Sequence, residues 1–238
     1  AVGAHDPRFV CVPDEDLLAR LCELAEGMVK LITVAPELAG TDRIIRKALQ
    51  CGIAVSLGHS LATANDIEEA AWAGAVALTH LGNGIPNQVH RHQNPMWPGL
   101  ANDKLIAMII TDGHHLPPAV IKTMVRAKGA DRIIVVSDAS PAAGLPPGRY
   151  RVLGCDAVLE PTGRLHNPEK QCLVGSSATL LECMNHLSAL DILSLNELLK
   201  VGYFQPLRLI GIPPEAIRSS DELSYDEMTR RFTLRTKP

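Results

Sequence analysis

The sequence predicts an α/β fold built as part of a (β/α)8 barrel, and three observations carry that expectation. Short apolar runs rich in Val and Ile alternate with amphipathic stretches. The runs start every 22 to 29 residues, which is one βα unit apiece. A polar residue suited to chemistry stands at or just past the end of five successive runs: Glu37, His59, His80, Asp112 and Asp138. A barrel gathers its strand ends around one mouth, whereas an open sheet concentrates its site at one switch point. Five such residues on five successive strand ends favour the barrel.

The strand runs cover 31–35, 53–57, 76–79, 105–111 and 132–137. Each is almost continuously hydrophobic, as expected of parallel strands covered on both faces. Helices are expected over 14–26, with Leu17, Leu18, Leu21 and Leu24 on one face, and over 41–50, capped by Thr41. Two more are expected over 62–73, stopped by Gly74, and over 118–128, stopped by Gly129.

Beyond Asp138 the character changes. Residues 140–148 read as a loop, and 149–173 as short hairpin strands with turns at Pro161-Thr162-Gly163 and Asn167-Pro168. Helices are expected over 177–190 and 195–201, and a final strand over 225–236. The expected organisation is a partial hydrolase barrel over 1–211, carrying the hairpin-like insertion at about 149–173, then a C-terminal segment, 212–238, with a β-sandwich strand.

Composition narrows the class. The 238 residues are 46% hydrophobic and 21% charged, an ordinary globular balance, and the net charge of −3 points to no nucleic-acid partner. No apolar run approaches the roughly 20 residues of a membrane-spanning helix, so no membrane partner is expected. The start AVGAHDPRFV has neither the charged opening nor the apolar run of a signal peptide. Six scattered cysteines without a C-x-x-C pair read as thiols of a cytoplasmic protein.

The candidate chemistry rests on the histidines and on Asp138. His59 and His80 lie on adjacent strand ends next to small residues that leave room for an ion. They read either as hydrogen-bonded structural residues or as ligands of zinc or ferrous iron, whose catalytic sites use about three protein ligands and an open position. Asp138 reads either as a helix cap or as a carboxylate that takes a proton from water and passes it to a leaving amine. In His114-His115 one ring can donate to a carbonyl oxygen where charge develops. The His90-Arg91-His92 cluster is either a solvated loop or an anion clamp, because Arg offers a planar two-pronged donor. The segment 173–180 leads into a helix whose N-terminal N–H groups can hold a polar substrate.

Taken in order, the motifs Gly3-Ala4-His5-Asp6-Pro7, Val34-Ala35-Pro36-Glu37, Gly58-His59-Ser60, Thr79-His80-Leu81-Gly82-Asn83, Asp112-Gly113-His114-His115, Ser137-Asp138-Ala139 and Val174-Gly175-Ser176-Ser177 resemble the N-acetylglucosamine-6-phosphate deacetylases of the amidohydrolase superfamily. The resemblance implies a TIM-like barrel of the amidohydrolase type with one divalent metal ion, zinc first and iron or another divalent ion next. It implies hydrolysis of the acetamide of N-acetylglucosamine 6-phosphate to glucosamine 6-phosphate and acetate by a metal-activated water. By position, His59 and His80 match the two histidine ligands and Asp138 the acid/base. His115, Asn83, Gly84, Arg91, Ala4, Leu173, Val174 and Gly175 match substrate-lining positions, with Arg91 on the sugar phosphate.

The sequence also departs from that pattern. The family's remaining metal ligand is a glutamate upstream of the Gly-x-His-x-Pro motif, and the sequence as it starts at Ala1 does not contain it. The early barrel strands and part of a small β-sandwich are expected outside it too, so a homo-oligomer or a partner fragment would complete the barrel. Gly82-Asn83-Gly84-Ile85-Pro86 replaces the usual aromatic-Asn-Ala-Met, and 93–97 reads as an inserted loop. Two other readings stand beside the deacetylase: a related amidohydrolase acting on another N-acyl or cyclic amide, and a non-catalytic fragment or subunit.

Overall fold

In the computed structural model, which describes residues 1–236, every one of the five apolar runs becomes a strand. These are β1 (Leu31–Val34), β2 (Ala54–Leu57), β3 (Ala77–Leu78), β4 (Ile106–Ile110) and β5 (Ile133–Val136). Val55, Ala77, Ile109, Ile110 and Ile133 have no exposed surface, as the unbroken apolar pattern requires. The chain divides into two compact units, the first Ala1–Met108 and the second from Ile109 onward.

In the first unit β1, β2, β3 and the start of β4 pair in parallel and in chain order, with Leu31 opposite Ala54, Ser56 opposite Ala77 and Ala77 opposite Ile106. Helices α1 (Glu15–Leu24), α2 (Thr41–Gln50) and α3 (Ala64–Ala73) lie between them along the chain. The Asp14 carboxylate caps α1 by accepting the N–H groups of Asp16 and Leu17. Helix α3 opens on a capping box between Thr63 and Asp66 and stops at Gly74, whose φ is 118°.

Two expectations are corrected here. Thr41 does not cap α2: the cap position is Gly40, with no side-chain cap, and the Thr41 hydroxyl donates instead to the Ala35 carbonyl at 2.9 Å. The hydroxyl thus ties the helix start to the end of β1. The supposed inserted loop at 93–97 resolves into a turn and the first residues of a short helix, α4 (Met96–Ala101). Asn94 accepts from Met96 N–H at that helix start and donates to the His90 carbonyl.

In the second unit β5 follows the end of β4 in sheet order, connected by α5 (Pro118–Lys128). Then β6 (Gly148–Val152), β7 (Cys155–Leu159), β8 (Leu165–Asn167) and β9 (Cys172–Leu173) form a four-stranded antiparallel sheet in chain order. Helix α6 (Leu180–Ala189) follows, capped by Thr179 and Glu182.

Helix α7 (Leu195–Leu199) continues through one π turn (Lys200–Phe204) into α8 (Gln205–Leu209), so helix extends beyond the expected 195–201. Gly202 lies in the π turn, where a Cβ would meet the Met184 sulfur at 2.6 Å. The expected single strand at 225–236 is instead a hairpin, β10 (Glu222–Asp226) and β11 (Arg231–Arg235). Its turn is held by the Asp226 carboxylate, which accepts from Met228 and Thr229 N–H. The last two residues of the expected 212–238 segment lie outside the described residues. The class is therefore α/β with a parallel sheet.

Candidate active site

In four of the five parallel strands, the second residue past the strand end is polar. These residues are His59 after β2, His80 after β3, Asp112 after β4 and Asp138 after β5. Three of the four have left-handed backbones, with φ of 51° at His59, 32° at His80 and 53° at Asp138. Non-glycine residues seldom take that conformation, and where they do the backbone is held there by its surroundings.

The first unit brings His59, His80 and Gly84 together. The two imidazole Nε2 atoms lie 3.1 Å apart and the rings meet edge to face. His59 Nδ1 is 3.2 Å from the Ala1 carbonyl, which can only accept, so Nδ1 carries the proton and Nε2 presents a lone pair. Burial, then His80 and His5, push the His59 imidazole down to about 4. His5 itself stacks at 4.5 Å from the His59 ring. A neutral ring with Nε2 bare is the form a divalent ion needs.

The separation also fits. Two nitrogens each about 2.0–2.1 Å from one tetrahedral ion are about 3.3 Å apart. Glycines make the space: a Cβ on Gly84 would stand 3.0 Å from His80 Cε1 and 3.1 Å from His59, and one on Gly3 would stand 3.0 Å from His59 Cε1. Among the described residues no group of three His, Cys, Asp or Glu side chains is placed to hold an ion. Glu37 is engaged elsewhere, its two oxygens accepting from the Ser60 hydroxyl and the Leu61 N–H at 2.7 Å each. It pins the His59 loop. Hydroxyls of Thr33, Thr79 and Ser56 form a chain across β1, β2 and β3 just below the histidines.

Asn83 follows in the same loop, its backbone N–H donating to the His80 carbonyl. Its side-chain nitrogen is buried and has no hydrogen-bond partner among the described residues. Ala4 sits in the segment whose Gly3 lies against His59. Arg91 is exposed, and its carbonyl accepts from the Trp97 indole at 2.7 Å, which fixes its backbone to α4.

The second unit holds a second group. The Asp112 carboxylate accepts four hydrogen bonds: Oδ1 from the N–H groups of His114 and His115, at 2.9 Å each, and Oδ2 from His115 Nδ1 at 2.8 Å and the Ser176 hydroxyl at 2.7 Å. Burial by itself would raise its pKa, but the bonds from His115 and Ser176 outweigh it and hold the carboxyl well below the usual carboxylate range. Asp138 is exposed at its strand end. Its carbonyl accepts from Ser176 N–H, and Ser140 N–H donates to the Ser176 carbonyl, each at 2.8 Å. Gly175 is required there, because a Cβ would lie 2.8 Å from the Asp138 carbonyl oxygen. Leu173 closes β9, and Val174 N–H donates to Leu165.

Three residues emerge that the sequence reading left without roles. Asp112 and Ser176 both sit inside quoted motifs, and a carboxylate two residues past a buried strand was the available signal. His186 on α6 lies against Gly113, where a Cβ would be 3.2 Å from its ring, and its buried Nε2 has no partner among the described residues. Nothing in the local sequence marks it. The neighbouring Cys183 thiol is pushed up to about 12 by burial and the Asp112 charge, so it is no nucleophile.

No family model matches the chain. An N-acetylgalactosamine-6-phosphate deacetylase of Escherichia coli O157:H7 is 29% identical over 210 residues, covering 88% of this chain and 55% of the relative. The human N-acetylglucosamine-6-phosphate deacetylase is 33% identical over 216 residues, covering 88% of this chain and 51% of the relative. Among solved structures, a mutant N-acetyl-D-glucosamine-6-phosphate deacetylase from Mycobacterium smegmatis, in complex with N-acetyl-D-glucosamine-6-phosphate, superposes with a TM-score of 0.88 at 26% identity. That match covers 98% of this chain and 63% of the other. The chain spans about half the length of the curated relatives it matches. By motif order, by sequence and by solved structure alike, the chain is similar to about half of an N-acetylglucosamine-6-phosphate deacetylase.

Proposed function

We propose that this chain is the metal-binding and acid/base part of a deacetylase that hydrolyses the acetamide of N-acetylglucosamine 6-phosphate to glucosamine 6-phosphate and acetate. The observation that supports it most is the approach of the His59 and His80 Nε2 atoms to 3.1 Å, on a chain whose named relatives are deacetylases of phosphorylated amino sugars. On this reading residues 1–211 contribute to a (β/α)8 barrel and 212–238 to a small β-sandwich.

His59 and His80 would hold one divalent ion, zinc first, which when bound supplies Lewis-acid activation of water and of the amide carbonyl. The chain's own residues do the rest. Asp138, at its strand end, takes a proton from the attacking water and delivers it to the amine as the C–N bond breaks, so acetate and a free amine leave. His115 turns its Nε2 toward the amide carbonyl, since its Nδ1 is occupied by Asp112. Asn83, Gly84, Ala4, Leu173, Val174 and Gly175 line the sugar, and Arg91 takes its phosphate.

The absence of a third acidic or histidine ligand beside His59 and His80, among the described residues, supports a second reading. Here the chain is a subunit whose activity waits on a carboxylate supplied by another segment or partner. Acetate release from N-acetylglucosamine 6-phosphate, measured with the chain alone and added zinc, separates the two. Turnover supports the first reading. Stoichiometric metal binding without turnover supports the second, and neither binding nor turnover overturns both.

A further inference from the structure

Asp112 has every lone-pair direction of its carboxylate in use, and the use is divided. Oδ1 serves two backbone N–H groups, at His114 and His115, and Oδ2 serves two side chains, His115 Nδ1 and Ser176 Oγ. The side chains of Asp112 and His115 are 1% and 5% exposed, so water does not compete for these bonds. Ser176 in turn belongs to the backbone bridge with Asp138 and Ser140. The bonds therefore run from the His115 ring through Asp112 to Ser176, and through the Ser176 N–H to the carbonyl of Asp138.

We propose that Asp112 and Ser176 are positioning residues, which hold His115 as its Nδ1–H form with Nε2 facing outward and tie that ring to the strand end carrying Asp138. The hydrogen-bond logic is restrictive. A carboxylate cannot donate, so whichever His115 nitrogen faces Oδ2 must carry the proton. Two backbone donors anchor Oδ1, which stops the carboxylate from rotating. Ser176 Oγ gives Oδ2 a second donor from a segment 64 residues away. Only what His115 does with its Nε2 rests on the deacetylase reading; the tautomer and the tether do not.

The test reads the ring directly. In the full chain labelled with 15N-histidine, long-range 1H–15N spectra at a pH where the rings are neutral should show His115 with its proton on Nδ1. His115 found as Nε2–H in the unmodified chain overturns the proposal without any variant. In Asp112→Asn the two backbone donors keep the amide oxygen at the Oδ1 place. The amide nitrogen then faces His115 Nδ1, which must accept, and the ring should switch to Nε2–H. An unchanged Nδ1–H in folded Asp112→Asn also overturns it.

Ser176→Ala removes the hydroxyl that donates to Oδ2 and accepts from the Ala178 N–H, and leaves Asp112 to face His115 as before. It should keep the Nδ1–H form while broadening the ring signals, and sharp, unshifted His115 signals in that variant sink the role of Ser176. If the unmodified chain shows no deacetylase turnover yet gives these spectra, the function fails and the positioning stands. The reverse result leaves the function and removes the positioning.

Discussion

The Nε2 atoms of His59 and His80 approach to 3.1 Å although the residues follow different strands. Two neutral imidazoles at that distance share one proton between two lone pairs, and a divalent ion replaces that proton with a better partner for both. Replacing either histidine by Ala should therefore abolish stoichiometric zinc uptake and weaken residual binding by about 100-fold or more. Equilibrium dialysis with elemental analysis measures this. Equal zinc content in His59→Ala, His80→Ala and the unmodified chain would remove the metal reading.

The same burial makes a pH prediction. His59 ionises at about 4 when folded, against 6.5 for the free ring. Between these values the unfolded chain binds a proton that the folded chain does not. Stability therefore rises as pH goes from about 4 to 6.5 and is lost on the way down, with no further slope from this group below that window. With partial exposure allowed for, the contribution is about 1–2 kcal/mol. Urea midpoints of the chain in chelator should show it, and His59→Asn should flatten that part of the curve.

How much of this was legible in sequence follows from where the forces act. The five parallel strands and α5 were readable because continuous burial and a Pro start with a Gly stop are local signals. So was the spacing that sets His59, His80 and Asp138 at strand ends. Helix α4 was not, because its residues MWPGLA carry Pro and Gly inside six positions and have poor intrinsic preference for helix. Thr41 had the right chemistry for a cap, but its hydroxyl found the Ala35 carbonyl instead. The turn between β10 and β11 lacks an Asn-Gly or Asp-Gly pair and uses Asp226 with Arg230 in a left-handed conformation, φ 53°. Asp112 and Ser176 meet across 64 residues, and no periodicity encodes a contact of that kind.

Gly84 has a positive φ of 66°, and the Cβ of an alanine there would press on both histidine rings at 3.0–3.1 Å. Gly84→Ala should cost about 1 kcal/mol in backbone strain, more if the rings do not yield, and should lower zinc affinity by spreading the ligand pair. Chemical denaturation and zinc titration together check it. An alanine variant with native stability and native zinc affinity would show that the rings have room to spare.

Asp138 is assigned proton transfer and no part in holding the ion, so its removal should separate the two functions. Asp138→Asn should retain zinc uptake while lowering kcat for N-acetylglucosamine 6-phosphate by about 10²–10⁴-fold. Loss of zinc along with activity would instead make Asp138 a ligand. Activity within a few-fold of the unmodified chain would remove it from the mechanism.

Arg91 makes the phosphate prediction. Its guanidinium is exposed, while its backbone is fixed through the bond from the Trp97 indole to its carbonyl. A fork of donors on a fixed backbone suits a phosphate dianion, and losing bonds to a charged group costs about 1.5–3 kcal/mol, or roughly 10- to 100-fold. Arg91→Ala should lower kcat/KM for N-acetylglucosamine 6-phosphate by that factor, mostly through KM, and leave the unphosphorylated sugar unaffected. Arg91→Lys keeps the charge without the fork, and should recover only part of the loss. Trp97→Phe, which frees the loop and keeps the arginine, should fall between the two. Equal turnover of the phosphorylated and unphosphorylated sugars by the unmodified chain would take the clamp role away from Arg91.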